Sequence, residues 1–306
     1  GHGTHVAGII AAQTDNNQGI AGVSWAGDIL SVKVLNSSGA GSYDAIAEGI
    51  LYAAGLSETY PNDNPADIIN LSLGGSSGSS ILKDAVQKAA EAGVVIVAAS
   101  GNSNSSLLYP AAYPETIAVG AVAEDGQRAD YSNYGPELDI VAPGGSSLEP
   151  ILSSSYDGQY IGMEGTSMAA PHVSAVISLM LNNGIPAAQV REILKESSIH
   201  PGSSEFSEEY GYGLLNANFA LNSKTKLKLA ALKKEGAKER IINETIVPLA
   251  GGNYQLELPL GEYYLSAWVD VNDNNTIDAE DYVVETEKLN FSAEGDYQKN
   301  MKLIVD

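Results

Sequence analysis

The chain has no cysteine, so no disulfide holds it together, and that absence does not fix its compartment. Positive charge is scarce. Sixteen Lys+Arg stand against 38 Asp+Glu, for a formal charge of −22. Such a surface argues against nucleic acid as a partner and suits a soluble, salt-tolerant or calcium-binding protein. The imbalance is uneven: residues 1–222 carry 6 Lys+Arg against 23 Asp+Glu, and residues 223–306 carry 10 against 15. No run of eighteen apolar residues is present, so no membrane-spanning helix is expected, and the first residues do not read as a basic-then-apolar leader. With 306 residues, 44% of them hydrophobic, the chain has room for one large domain and a small one.

What is present is organised around Gly165-Thr166-Ser167-Met168-Ala169-Ala170-Pro171-His172-Val173. A serine after glycine opens an apolar stretch that runs through Val176, Leu179 and Met180 to Asn182-Asn183-Gly184, a helical spacing with a C-terminal stop. Pro171 is expected in about the first turn, where a missing donor costs little. Ser167 then lies at a helix N-terminus, whose free N–H groups and dipole favour negative charge. That suits a nucleophile with an oxyanion forming beside it. The competing reading is a serine that only caps the helix. Two further stretches weigh against the cap: Gly1-His2-Gly3-Thr4-His5-Val6-Ala7-Gly8 at the start and Ala98-Ala99-Ser100-Gly101-Asn102 between.

In this order the three stretches resemble the subtilisin-like serine proteases (subtilases), above all the secreted bacterial subtilisins and thermitases, over roughly residues 1–220. The resemblance implies that His2 is the general base, Ser167 the nucleophile and Asn102 the side-chain donor to the oxyanion, with His5 outside the catalytic set. It implies protein or peptide substrates, a secreted protein and a monomer. The chain departs from the family at one point. The family's triad aspartate precedes the histidine in an Asp-Thr-Gly or Asp-Ser-Gly context, and no aspartate in the sequence has that context. The sequence therefore reads as a fragment that is nearly inactive. Loss of that aspartate costs on the order of 10⁴ in turnover, a figure known for subtilisin itself rather than calculated from this sequence. Because the aspartate strand lies inside the family's sheet, its neighbours are expected to be left unpaired and the fragment to aggregate.

Along residues 1–222, continuous apolar runs alternate with helical stretches: Ile29–Leu35, a helix near Tyr43–Ala54, Ile68–Leu73, a helix near Ser80–Ala92, then Val94–Ala99, Ile117–Val122 and Leu138–Val141. Residues 6–12 read as a buried helix bearing His2 near its start. The pattern predicts an α/β fold with a parallel sheet covered by helices on both faces, its site beyond the carboxyl ends of the strands. Ser72, Leu73 and Gly74 fall at one such end and resemble the family's substrate-pairing strand; Ala99, Ser100 and Gly101 would form the facing pocket wall. Pairing through the main chain tolerates many side chains, so broad specificity is expected. Pro110 occupies a place where the family has a cis proline, though composition alone favours a trans turn. Met168 is expected to be a point sensitive to oxidation, and neither His172 nor His200 has a catalytic role.

Two segments are candidates for calcium. His2 and His5 at i, i+3 lack the glutamate of a His-Glu-x-x-His zinc motif. The polar segment Thr14–Gly22 reads as a turn, but it resembles the family's calcium loop, which implies Asn16 and the carbonyls of Gln13, Gln18 and Ile20 as ligands. Residues 224–240 are basic and read as a linker with a first edge strand, and residues 223–306 as a small all-β sandwich. There Asp270, Asn272, Asn274, Thr276, Asp278 and Asp281 stand at positions 1, 3, 5, 7, 9 and 12 of an EF-hand-like loop. Asn275 replaces the usual glycine and Asp281 the bidentate glutamate, so a weak structural calcium site competes with a solvated acidic hairpin. Beside the peptidase stands a second reading, a catalytically inactive subtilase-like module for binding or adhesion.

Overall fold

The computed structural model describes residues 1–25, 27–200, 206–221, 226–235, 238–247, 261–270 and 282–291, with side chains described through Leu221. The chain divides into two compact units, Gly1–Leu221 and Asn222–Asp306. The first begins with α1 (His2–Ala11) and α2 (Tyr43–Ala53), then β1 (Ile68–Leu71), α3 (Ser80–Glu91), β2 (Val95–Ala99), β3 (Thr116–Val122) and β4 (Ile140–Pro143). A hairpin of β5 (Ile151–Ser154) and β6 (Tyr160–Met163) follows, then α4 (Thr166–Asn182), α5 (Ala187–Ser197) and the short α6 (Ala217–Leu221).

Strands β1 to β4 form one parallel sheet in that order. Alternation along each strand divides its side chains between two cores. Ile96, Ala98, Ala118, Val122 and Val141 enter the core beneath α2 and α3. Val95, Val97, Ala99, Ile117, Val119, Ala121, Ile140 and Ala142 enter the one beneath α4 and α5. Burial on both faces explains why these strands read as unbroken apolar runs. Ser42 and Ser79 cap α2 and α3 by accepting from Ala45 N and Leu82 N, as serine does before a first turn.

One expected strand does not form. Residues 29–35 are in no strand, and β1, the nearest apolar run, has an outer edge that pairs with no strand among the described residues. Val32, Val34 and Leu35 still pack on the core of α2 and α3, whereas Ile29 and Leu30 are 45% and 43% exposed. Apolar content draws the segment onto the core, but a strand also needs a ladder partner.

The sequence pattern marks no element over residues 151–163, yet they form the β5–β6 hairpin, closed around Tyr156-Asp157-Gly158 by Ser155 N donating to Gln159 O at 2.7 Å. The Tyr109–Pro110 bond is cis rather than the trans turn that composition favours. In the second unit, β7 (Lys226–Glu235), β8 (Lys238–Val247), β9 (Gly261–Asp270) and β10 (Tyr282–Phe291) make one antiparallel sheet ordered β10-β9-β7-β8. The basic segment is thus an interior strand, β7, and part of β8, not a linker with an edge strand. A sandwich needs a second sheet, and none occurs among the described residues. No helix among the described residues is long and apolar enough to cross a membrane.

The edge of β1 that is unpaired among the described residues is a template for pairing with another copy, and Ile29 and Leu30 add exposed apolar surface. Light scattering of the 306-residue chain at micromolar concentration is expected to report species above its 31.9 kDa mass, reduced by Leu30→Lys. A monomer with a cooperative melt would contradict this.

Candidate functional site

The carboxyl ends of the strands, the start of α1 and the start of α4 carry the residues singled out by sequence. Helix α4 begins at Thr166, which places Ser167 in its first turn, where the Ser167 N–H has no intrahelical acceptor. The helix is buried along most of its length, and Ser167 at its start is half-buried. Gly165, the residue before it, has φ +146°, and a Cβ there would lie 3.1 Å from Asn102 Nδ2, so a side chain would crowd the amide.

Pro171 is not in the first turn; it lies inside α4, four residues after Ser167. A proline there cannot donate to the Ser167 carbonyl, which an ordinary helix would bond. Ser72 supplies the missing donor, its Oγ donating to Ser167 O at 2.8 Å. That hydroxyl ends a chain of hydrogen bonds: Ser174 Oγ donates to Asn70 Oδ1 at 2.9 Å, and Asn70 Nδ2 donates to Ser72 Oγ at 2.9 Å. Ser167 Oγ in turn donates to Ser72 O at 3.3 Å. Ser167 and the residue that follows β1 are therefore bonded in both directions.

Asn102 follows β2 by three residues. Its Oδ1 accepts from Thr166 N and from Thr166 Oγ1, both at 2.9 Å, while Thr166 Oγ1 accepts from Gly101 N at 3.1 Å. The side chain is exposed, and with its oxygen fully engaged its Nδ2 has no partner among the described residues. Sequence reasoning assigned Thr166 no part, although a hydroxyl beside Ser167 at a helix start was a signal.

Helix α1 packs on α4. Val6 and Ile9 cluster with Met168, and His2 lies on the same stripe, four residues before Val6. His2 stays open to solvent on one side; partial desolvation, then the neighbouring His5 and the N-terminal amine, lower its pKa from 6.5. The structure does not join His2 to Ser167 by a hydrogen bond, since Ser167 Oγ is turned to Ser72 O. Catalytic hydrogen bonds commonly tighten only when substrate is bound. No hydrogen bond or ion pair links His2 to a carboxylate among the described residues. His5 is fully buried and donates from Nε2 to the carbonyls of Ile151 and Ile161, each at 3.0 Å, which ties α1 to the β5–β6 hairpin. His172 packs into α4 and donates from Nδ1 to Met168 O at 2.8 Å, while burial lowers its pKa. Met168 itself is buried between α1 and α4, 1% exposed.

Of the expected substrate residues, Ser72, Leu73 and Gly74 follow β1, and Gly75 exchanges main-chain hydrogen bonds with Tyr109 at 2.9 Å each way. Ala99 and Ser100 are buried at the end of β2, and the structure brings both stretches to the end of the sheet that holds Ser167.

Gln13, Asn16, Gln18 and Ile20 lie on a loop that turns through left-handed Asp15 and Asn17, φ 58° and 56°, with Asn16 Oδ1 accepting from Gln18 N at 2.9 Å. This donor set is of the right chemistry, neutral hard oxygens, but supplies four of the six to eight that calcium takes. No cluster of three or more His, Cys, Asp or Glu able to hold a metal occurs among the described residues. In the second unit Asp270 ends β9, while Asn272, Asn274, Thr276, Asp278 and Asp281 lie outside the described residues.

The family model described as "Subtilase family" matches residues 1–213. Subtilisin DY from Bacillus licheniformis is 44% identical over 227 residues, 72% of this chain and 77% of that one. Subtilisin amylosacchariticus from Bacillus subtilis subsp. amylosacchariticus is 45% identical over 72% of this chain and 55% of its own length, so the chain spans about half of that relative. Among solved structures, a protease from Pseudoalteromonas arctica PAMC 21717 superposes with a TM-score of 0.67 at 36% identity, covering 72% of this chain and 70% of that one.

Because Pro171 leaves Ser167 O dependent on the Ser72 hydroxyl, Ser72→Ala should destabilise the fold by about 0.5–1.5 kcal/mol, the net worth of one partly buried hydrogen bond. Denaturant melts with an unchanged midpoint would contradict the assignment.

Proposed function

The chain belongs to the subtilase family, a family of serine-type peptidases, and on that premise we propose that it is a serine endopeptidase working through an acyl-enzyme. In this reading Ser167 Oγ leaves its 3.3 Å bond to Ser72 O and attacks the carbonyl carbon of a peptide bond. Its proton passes to His2, and the carbonyl electron pair moves onto oxygen. Asn102 Nδ2 and the Ser167 N–H donate to that oxygen. As the tetrahedral species collapses, His2 returns the proton to the departing amine, and water then hydrolyses the ester by the same steps. The observation that carries the reading is the fixing of Asn102: both acceptor bonds of Oδ1 go to Thr166, which leaves Nδ2 to face a developing charge. A lowered His2 pKa keeps the imidazole neutral, and so able to accept a proton, down to more acid pH. The orienting aspartate that the family resemblance implies is not among the described residues.

The substrate is an extended polypeptide laid along Ser72, Leu73 and Gly74, with the side chain before the cut bond held against Ala99, Ser100 and Gly101. Recognition through the main chain gives broad specificity. We place the protein outside the cell, with no nucleic acid among its partners. Calcium has a structural part only: the loop with Asn16 and the carbonyls of Gln13, Gln18 and Ile20 would hold it, waters completing the shell. The EF-hand-like loop from Asp270 to Asp281 would be a second, weaker site. Chelation should lower the melting temperature, calcium at 100 times its Kd being worth about 2.7 kcal/mol; an unshifted melt would remove calcium from the account.

Reaction with a fluorophosphonate probe tests the activity. Mass spectrometry is expected to find the adduct on Ser167, with the acid limb of the labelling rate below pH 6.5. Asn102→Ala should lower peptidase turnover by on the order of 10²–10³, the loss known for subtilisin itself rather than one calculated from these distances. A folded full-length protein in which Ser167 stays unmodified would favour the binding or adhesion module.

A further inference from the structure

The loop that carries Asn102 follows β2 and has no regular secondary structure. Besides Thr166 and a few main-chain bonds, one buried side chain holds it at four points. Asn133 is 0% exposed, and its amide makes four hydrogen bonds, all to main-chain groups of this loop. Nδ2 donates to Ser100 O at 3.2 Å and to Ser106 O at 2.9 Å. Oδ1 accepts from Ser103 N at 2.8 Å and from Ser105 N at 3.2 Å. Those four bonds use the full capacity of a carboxamide, two donors and two acceptors. The main chain of the same residue adds more, Asn133 N donating to Gly101 O at 2.9 Å and Asn133 O accepting from Ser100 Oγ at 3.2 Å.

The residues on either side of Asn102 are thus both bonded to Asn133, Gly101 through its carbonyl and Ser103 through its N–H. Asn102 itself is exposed, its oxygen held by Thr166. The contact is close enough to dictate sequence: Gly101 has φ +114°, and a Cβ there would stand 2.3 Å from Asn133 Nδ2. An irregular loop whose main-chain groups were left to water would sample several conformations, and each would aim the Asn102 amide differently.

We propose that Asn133 is a positioning residue for the oxyanion donor: it pre-sets the 100–106 loop so that Asn102 Nδ2 faces the carbonyl attacked by Ser167. The inference rests on the peptidase reading. It acts on the transition state, because the donor it aims meets full negative charge only there.

The test is a double-mutant cycle in the full-length protein, with steady-state turnover of a peptide p-nitroanilide and thermal melts as controls for folding. Asn133→Ser should lower kcat by roughly 10- to 100-fold, the scale of a misplaced catalytic group, with KM within about twofold. In an Asn102→Ala background the same substitution should cost less than about twofold, since no donor is left to misplace. If Asn133→Ser fails to fold, Asn133→Asp is read the same way; it keeps the acceptor for Ser103 and Ser105 and loses both donors. A loss equal in the two backgrounds, or one confined to KM, would overturn the inference while leaving the peptidase intact. Absence of turnover by the parent protein would overturn the peptidase reading, and this inference with it.

Discussion

The start of α4 is the constraint on which the rest depends. A helix buried on nearly every side cannot shift without disturbing the core beneath the sheet, so whatever sits in its first turn is fixed with the precision of that core. Ser167 sits there. Around it the structure replaces what an interior proline removes: Pro171 cannot donate to Ser167 O, and the hydroxyl of Ser72 does so instead. One residue earlier, Thr166 holds Asn102 by two bonds and Gly101 by a third. Three segments distant in sequence are therefore referred to one rigid point. Preorganisation of this kind lets a donor stabilise charge without reorganising when the charge appears.

The other partner approaches from α1, whose Val6 and Ile9 close over Met168. Tethering through His5 to both strands of the β5–β6 hairpin gives this helix a second fixed contact, and the hairpin runs straight into Gly165 and α4. His2 and Ser167 are thus held by neighbouring elements rather than by each other.

Much of the fold was legible because its signals are local. The runs now seen as β2 and β3 read as doubly buried strands from their unbroken apolar residues, and Gly165-Thr166-Ser167 read as a helix start from the small residues before an apolar stripe. What escaped depends on partners distant in sequence. Ile29–Leu35 has a strand's composition, but strand formation is a property of a pair, and no ladder partner for it occurs among the described residues. The β5–β6 hairpin was missed because Ser153, Ser154 and Gly162 dilute the apolar alternation, although Asp157-Gly158 between the two runs was a usable turn signal. Pro171 was placed too near the helix start because proline is at home in a first turn; its interior position is tolerable only because Ser72, 99 residues earlier, satisfies the freed carbonyl. Of the candidate site, His2, Asn102 and Ser167 could be picked out by type and context, and Thr166 stands inside the same stretch as Ser167, whereas Asn133 carries no motif and becomes visible only as hydrogen bonds.

The central claim is spatial: one oxygen bound to the atom attacked by Ser167 should be gripped by two N–H donors fixed in advance. A crystal structure of the phosphonylated protein tests it most directly. The account predicts phosphorus on Ser167 Oγ, with the phosphoryl oxygen between Asn102 Nδ2 and the Ser167 N–H and His2 on the opposite side. Phosphorus on another residue, or a phosphoryl oxygen pointing away from Asn102 while that loop keeps its present shape, would contradict it.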